Sequence, residues 1–171
     1  MPTSLLMRPP LVNIRRNHAL EHATIHLLSQ RYPERTFIGR SDARGFYIYG
    51  QVPTEALTDL VQQGLARLKR GDRALAIHPN CGTNLVTSGL LAGSAAFLSL
   101  FGSEREGWRK RLERFPLVVL STIIALLIAQ PVGRSAQEHI TTEADPGTLH
   151  VLRLERFDNS GMAVHRVFTS L

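Results

Sequence analysis

The chain has 171 residues, a formal net charge of +6 and 43% hydrophobic residues, so it is long enough for one domain with a core and does not require two. Its arginines are scattered and are not interleaved with aromatic residues, which argues against a nucleic-acid-binding protein. The basic charge favours contact with anionic lipid headgroups instead. The single cysteine, Cys81, excludes an internal disulfide and weakly favours a reducing compartment.

The amino-terminal half predicts a mixture of helices and strands. One helical pattern ends before Pro33 and another begins after Pro53, because proline lacks a backbone donor and restricts the residue before it. Apolar and aromatic residues on both sides of a polar turn at 41–44 predict a strand hairpin. The predicted elements are a helix over 13–31, strands over 36–39 and 45–50, a helix over 54–71 and a short strand over 74–77.

Two long runs, 82–103 and 115–133, contain no charged residue. Each is close to the ~20 residues that an apolar helix needs to cross a bilayer. The small residues Gly89, Gly93 and Ala96 predict close helix–helix packing in lipid. The alternative is a buried helical hairpin of a soluble protein, which would need much more polar protein around it. Both runs lie too far from the amino terminus for a signal peptide, so we expect a two-helix transmembrane hairpin.

The segments between and after these runs are polar. The linker over 104–114 alternates charge around Trp108 and predicts an amphipathic stretch at the membrane interface. A polar connection follows the second run, and alternating apolar residues then predict a terminal hairpin. Its strands are expected over 149–157 and 162–170, around a turn at 158–161.

Together these elements predict an α+β fold, in which a small mixed soluble domain is interrupted by a two-helix transmembrane hairpin. Two spans return the chain to the same side, so the terminal strands can join the sheet that the amino-terminal strands begin. We expect an amino-terminal soluble part over 13–81, the membrane hairpin with its interfacial loop over 82–133, and a completing β-hairpin over 134–171.

The first motif with metal-binding chemistry is HxxEH, at His18-Ala19-Leu20-Glu21-His22 in the first helix. Imidazoles four residues apart on a helix project from one side, and the intervening carboxylate can reach a water on the same ion. Glu21 has apolar neighbours, so we expect it to be at least partly buried, where a carboxylate needs a compensating cation or proton. The alternative is a pair of histidines hydrogen-bonded in a helix interface.

The second motif is His78-Pro79-Asn80-Cys81-Gly82, directly before the first apolar run. It places an imidazole and a thiol three residues apart in a tight turn, and both are good ligands for Zn²⁺. Its alternative role is a helix cap, with Asn80 or Thr83 starting the first span and Cys81 as a small buried filler. His26 extends the stripe of histidines but is far along the helix for a shared ion, so we assign it to packing or support.

The two motifs, HALEHATI and HPNCGTN followed by an apolar span, resemble those of uncharacterised bacterial membrane proteins that include YqhQ, which are described as predicted metal-dependent enzymes. The resemblance covers about a quarter of the chain, and a closer group of bacterial domain-of-unknown-function proteins is expected to include the chain itself. It implies metal-site roles for His18, Glu21, His22, His78 and Cys81. It implies no substrate.

Two arrangements of this site remain open, and they differ in function. In the catalytic one, His18, His22 and His78 bind Zn²⁺ or another divalent transition metal, and Glu21 is the general base of a hydrolase. The HxxEH order is that of inverzincin peptidases, which favours a membrane-proximal protein or peptide substrate. Inverzincins use a carboxylate as the third metal ligand, and in this chain Glu138 is only a remote candidate for that ligand. In the other, His18, His22, His78 and Cys81 form a closed structural site.

A third hypothesis is a metal-free membrane adaptor whose sheet binds a protein partner. In every case the lipid bilayer is an expected partner, nucleic acid is not, and the oligomeric state stays undefined. We expect a multi-pass protein of the bacterial cell membrane with a cytoplasmic soluble part. The arginine-rich loop between the spans favours a cytoplasmic loop, which would put the soluble part outside the cell. The soluble side is also basic, however, and export of the long amino-terminal part would need a signal that we do not find in it.

Overall fold

A computed structural model describes residues 3–101, 107–159 and 162–170 of the chain, and their fold is α+β. The helices are α1 (Thr3–Leu6), α2 (Leu11–Arg31), α3 (Thr54–Lys69), α4 (Gly82–Leu100), α5 (Trp108–Glu113) and α6 (Phe115–Ala136). The strands are β1 (Ile38–Asp42), β2 (Gly45–Tyr49), β3 (His150–Asn159) and β4 (Met162–Ser170). Shorter turns of helix are the 3₁₀ helix Arg73–Ala76 and the π-helix Gln137–Thr141.

The chain divides into two compact units, Met1–His78 with Glu138–Leu171, and Pro79–Gln137. The first unit contains one antiparallel sheet in the order β1-β2-β4-β3. Strand β4 pairs with β2 over the whole length of β2, so the two ends of the sequence share a sheet. This confirms the expected α+β architecture, including the terminal hairpin. Its turn is shorter than the predicted 158–161, because Asp158 and Asn159 belong to β3; residues 160 and 161 lie outside the described residues.

The core of the first unit lies where α2 and α3 pack against the sheet and against each other. Its most deeply buried side chains come from all of these elements: Leu20, Phe46, Leu57 and Val167 are each 0% exposed. The apolar face predicted for the second helix is the buried face of α3. Burying a leucine or phenylalanine side chain stabilises a fold by roughly 1.5–3 kcal/mol, so these contacts hold α2 firmly in place.

The short strand predicted over 74–77 is wrong, because these residues form most of a 3₁₀ turn. Its bonds are local, from the Leu75 N–H to the Asp72 carbonyl and from the Ile77 N–H to the Ala74 carbonyl, both at 3.3 Å. Leu75 and Ala76 bury their side chains in the core, which a single helical turn achieves without a partner strand. The turn brings backbone carbonyls to the histidine face of α2.

The first hairpin is tighter than predicted, since β1 continues to Asp42 where a polar turn was expected to start at Ser41. Asp42 is paired with Gly45, which leaves two residues in the turn. The Asp42 carboxylate accepts the Arg44 backbone N–H at 2.8 Å, and Gly45 takes a φ of 138°. Ser41 is therefore a residue of strand β1, and its side chain points to one defined face of the sheet.

In the second unit, α4 and α6 pack against each other, and both are long and apolar enough to cross a membrane. Asn84 links them: it accepts a 2.7 Å hydrogen bond from Gln137, and a Cβ on Gly133 would lie 3.2 Å from its Cα. Gly89 and Gly93 are not at the contact between these two helices, because a Cβ at either would meet nothing within 4 Å among the described residues. In the linker, α5 covers the part around Trp108, and residues 102–106 lie outside the described residues.

Candidate metal centre

Four histidines form a row in the first unit. His18, His22 and His26 stand one turn apart on α2, and His78 follows the 3₁₀ turn that packs against this helix. The ring centres are 4.3 Å apart for His18 and His22, 5.8 Å for His22 and His78, and 4.8 Å for His26 and His78. The structure therefore brings His78 to the HxxEH helix, as the hypothesis of a shared metal site requires.

Backbone carbonyls orient the two histidines of the HxxEH motif. Nδ1 of His18 lies 3.0 Å from the Thr141 carbonyl, and Nδ1 of His22 lies 2.7 Å from the Ala76 carbonyl. A carbonyl oxygen can only accept, so each Nδ1 carries the proton and each Nε2 carries the lone pair that a metal ion needs. Ring nitrogens of the two residues lie within 4.8 Å of each other. Carbonyl bonds of this kind are what orient metal-ligating histidines in known sites.

Glu21 is buried between α2 and β1, with 4% of its surface exposed. The Ser41 hydroxyl donates a short hydrogen bond to Glu21 Oε2. Gly39, on the same face of β1, lets the carboxylate approach the strand, because a Cβ there would overlap Glu21. Burial raises the pKa of Glu21, against the opposing effects of the Ser41 hydrogen bond and the nearby His18. This confirms the prediction of a buried carboxylate.

Arg15 anchors the segment that orients His18. The residue is 8% exposed, and its guanidinium donates to the carbonyls of Ile140 and Thr142, both at 2.8 Å. These two residues flank Thr141, whose carbonyl accepts from His18. The arginine thus holds the end of the π-helix against α2. The sequence offered no signal for Arg15, Ser41 or Gly39, because each acts through a partner more than twenty residues away or in another element.

His78 has a neutral ring at physiological pH. Burial, followed by the neighbouring His26 and His22, lowers its pKa to about 4. His26 is oriented as well, since its Nε2 donates to the Ile77 carbonyl at 2.8 Å. A neutral imidazole is the form that a metal ion binds, so the His78 ring is in the form that a ligand needs.

Cys81 belongs to the second unit, three residues along the chain from His78. It is the N-cap of α4, where its Sγ accepts the Thr83 N–H at 3.4 Å. The capping alternative expected Asn80 or Thr83 in this role; its expectation that Cys81 is buried is confirmed. The remaining candidates lie elsewhere: the side chain of Glu138 is exposed, as are the rings of His139 and His150. His165 is a β4 residue and is 0% exposed.

Fold and site define a class: a small α+β domain with a partly buried histidine–glutamate cluster, joined to a pair of apolar helices long enough to cross a membrane. The chain belongs to the DUF6391 family, a domain of unknown function whose model matches residues 13–154. It is similar to an uncharacterized protein of Picosynechococcus sp. (strain ATCC 27264 / PCC 7002 / PR-6), at 37% identity over 92% of this chain and 79% of that protein. No solved structure matches.

Proposed function

We propose that this protein is a metal-dependent hydrolase of the bacterial cell membrane, with Zn²⁺ or another divalent transition metal as its cofactor. The observation that carries the proposal is the paired orientation of His18 and His22, each with Nδ1 on a backbone carbonyl and the lone pair on Nε2. Two histidines that only filled a helix interface would not need matching ring orientations beside a buried carboxylate. The likeness of both motifs to those of YqhQ, a predicted metal-dependent enzyme, supports the same reading.

The proposed ligands are His18, His22 and His78, with Cys81 as a further donor. Nitrogen and sulfur donors suit Zn²⁺ and related ions better than Mg²⁺ or Ca²⁺, which prefer oxygen. The ring centre of His78 is 5.8 Å from that of His22. Three peptide units separate Cys81 from His78 and span at most about 11 Å between their Cα atoms.

In the proposed reaction Glu21 is the general base. An ion bound to the histidines supplies Lewis-acid polarisation and lowers the pKa of a water from ~15.7 to near ~7. Glu21 takes a proton from this water on a carboxylate oxygen and later gives it to the leaving group. Burial raises the pKa of Glu21 and so makes its carboxylate a stronger base, and the Ser41 hydroxyl orients one carboxylate oxygen.

We place the soluble unit at a membrane surface, with α4 and α6 as a two-span anchor and the soluble part in the cytoplasm. The apolar side chains of α6 support this, since Leu127, Ile128 and Leu120 are more than half exposed. The substrate that fits this location and the HxxEH order is a membrane-proximal protein or peptide.

Replacing Glu21 with Gln tests the proposal in the full-length protein, purified in detergent and reconstituted in liposomes. Gln keeps an oxygen for Ser41 but cannot take up the proton. We expect Glu21→Gln to keep the metal content of the wild type, measured by mass spectrometry, and to lose hydrolysis of a quenched fluorescent peptide library. His150→Ala, at an exposed histidine, is the matched control for His18→Ala, which we expect to lower the metal content.

Each alternative gives a different result. A closed structural site predicts bound metal, no hydrolysis by the wild type and no effect of Glu21→Gln beyond stability. A metal-free adaptor predicts no stoichiometric metal in the wild type at all. Either result would overturn the hydrolase proposal.

A further inference from the structure

The row of histidines is too long for one ion. His18 and His26 are eight residues apart, about 12 Å along a helix axis, and side chains on one helix face lean the same way and keep this spacing. Metal–nitrogen bonds are only about 2 Å long. An ion bound by His18 and His22 therefore leaves His26 outside its coordination shell.

His26 and His78 form a second pair with the spacing of metal ligands. Two imidazoles on one tetrahedral ion have ring centres about 5 Å apart, from bonds of about 2 Å and the size of the ring. The observed distance is 4.8 Å for His26 and His78, compared with 4.3 Å for His18 and His22. His78 lies nearer to His26 than to His22, for which the distance is 5.8 Å.

The chemical state of this second pair also suits a cation. The Ile77 carbonyl accepts from His26 Nε2, so the lone pair of this ring is on Nδ1. His78 follows Ile77 directly in the chain, so its ring and the carbonyl that orients His26 belong to neighbouring residues. The hydrogen bond to Ile77 holds the His26 ring beside the 3₁₀ turn, at a ring-centre distance of 4.8 Å from His78.

We infer that His26 and His78 bind a second transition-metal ion beside the one at His18 and His22. The inference rests on the proposed function, with which it shares the histidine row. With both ions bound, His78 pairs with His26, and water would complete the coordination of the first ion. Two imidazoles and water make a weaker site than the first, and its nitrogen donors select Zn²⁺, Ni²⁺ or Cu²⁺ over Mg²⁺.

The experiment is a Zn²⁺ titration of the full-length protein in detergent, with bound metal measured after equilibrium dialysis. We expect two ions per chain in the wild type, with the second binding at least tenfold more weakly. His26→Gln can still donate to the Ile77 carbonyl but has no imidazole, so we expect it to bind one ion and to fold normally by circular dichroism. His150→Ala is the control and keeps two ions.

The outcomes separate this inference from the proposed function. One ion per chain in both the wild type and His26→Gln would overturn the second site and leave the proposed hydrolase centre standing. No stoichiometric ion in the wild type would overturn both. Loss of both ions in His26→Gln with unchanged circular dichroism would also overturn the inference, because it would make His26 part of a single site.

Discussion

The contact between Gly39 and Glu21 predicts that Gly39→Ala destabilises the wild-type protein but stabilises a variant that lacks the Glu21 carboxylate. Gly39 has an ordinary strand conformation, since it is not among the glycines with positive φ, and alanine is compatible with its backbone. What excludes a side chain is Glu21, because a Cβ at position 39 would overlap Oε1 and Cδ of the carboxylate and lie 2.6 Å from Cγ. Gly39→Ala must therefore displace the carboxylate and its hydrogen bond from Ser41.

The magnitude follows from two opposing terms. Overpacking a buried contact costs typically ~1–3 kcal/mol. Replacing glycine by alanine at a compatible backbone position contributes ~0.4–1 kcal/mol of stability through the unfolded chain. We expect Gly39→Ala to destabilise the wild type by about 1–2 kcal/mol, which lowers the melting temperature by roughly 2–8 °C for a chain of this size. In a Glu21→Ala background the overlap is gone, and the same change should stabilise by ~0.4–1 kcal/mol.

The assay is unfolding in detergent, followed by circular dichroism, for the four proteins of the cycle. Gly89→Ala is the matched control, because a Cβ there meets nothing within 4 Å. Equal destabilisation by Gly39→Ala in both backgrounds would refute the reasoning, since it would mean that the strand, and not the carboxylate, excludes the methyl group.

Two further predictions concern groups outside the HxxEH motif. Arg15→Lys removes the guanidinium that holds the segment behind His18, so we expect metal affinity to fall about tenfold in a competition titration, as for other supporting residues of metal sites. Arg16→Lys, at a residue that donates to a single carbonyl, is the control. Equal losses of affinity in both variants would contradict the role of Arg15. His165 gives a pH dependence: burial, followed by the charge of Arg156, lowers its pKa below the ordinary 6.5. Below pH 6.5 the His165 ring is therefore protonated more fully in the unfolded state than in the folded state. The free energy of unfolding then falls as the pH drops, by at most about 1.4 kcal/mol per pH unit. His165→Gln should flatten this slope between pH 7 and pH 5, and an unchanged slope would count against it.

Local patterns in the sequence were enough for the elements of the fold. The predicted helix at 13–31 corresponds to α2 and the one at 54–71 to α3, because proline boundaries and helical periodicity are properties of neighbouring residues. The charge-free runs correspond to α4 and α6 for the same reason. The strand prediction at 74–77 failed because a segment of four residues has too little periodicity to distinguish a strand from a helical turn.

The site was predictable only in part. HxxEH places His18, Glu21 and His22 on one helix face by spacing alone, and the burial of Glu21 followed from its apolar neighbours. That His78 meets this helix was a hypothesis drawn from motif chemistry, and the ring distances agree with it. Its closer approach to His26 has no signature in the sequence.

Sequence alone determined the four long helices, the existence of the two strand hairpins and the face of α2 that carries the histidines, since these depend on residue type and spacing along the chain. Only the tertiary structure decided which groups orient that face. Arg15 and Arg16 are neighbours of the same type, yet one is buried in a cluster of carbonyls and the other is not. Ser41 and Thr141 reach Glu21 and His18 through a strand register and a distant loop. Such partners are set by packing between segments that are remote in sequence, and no local pattern encodes them.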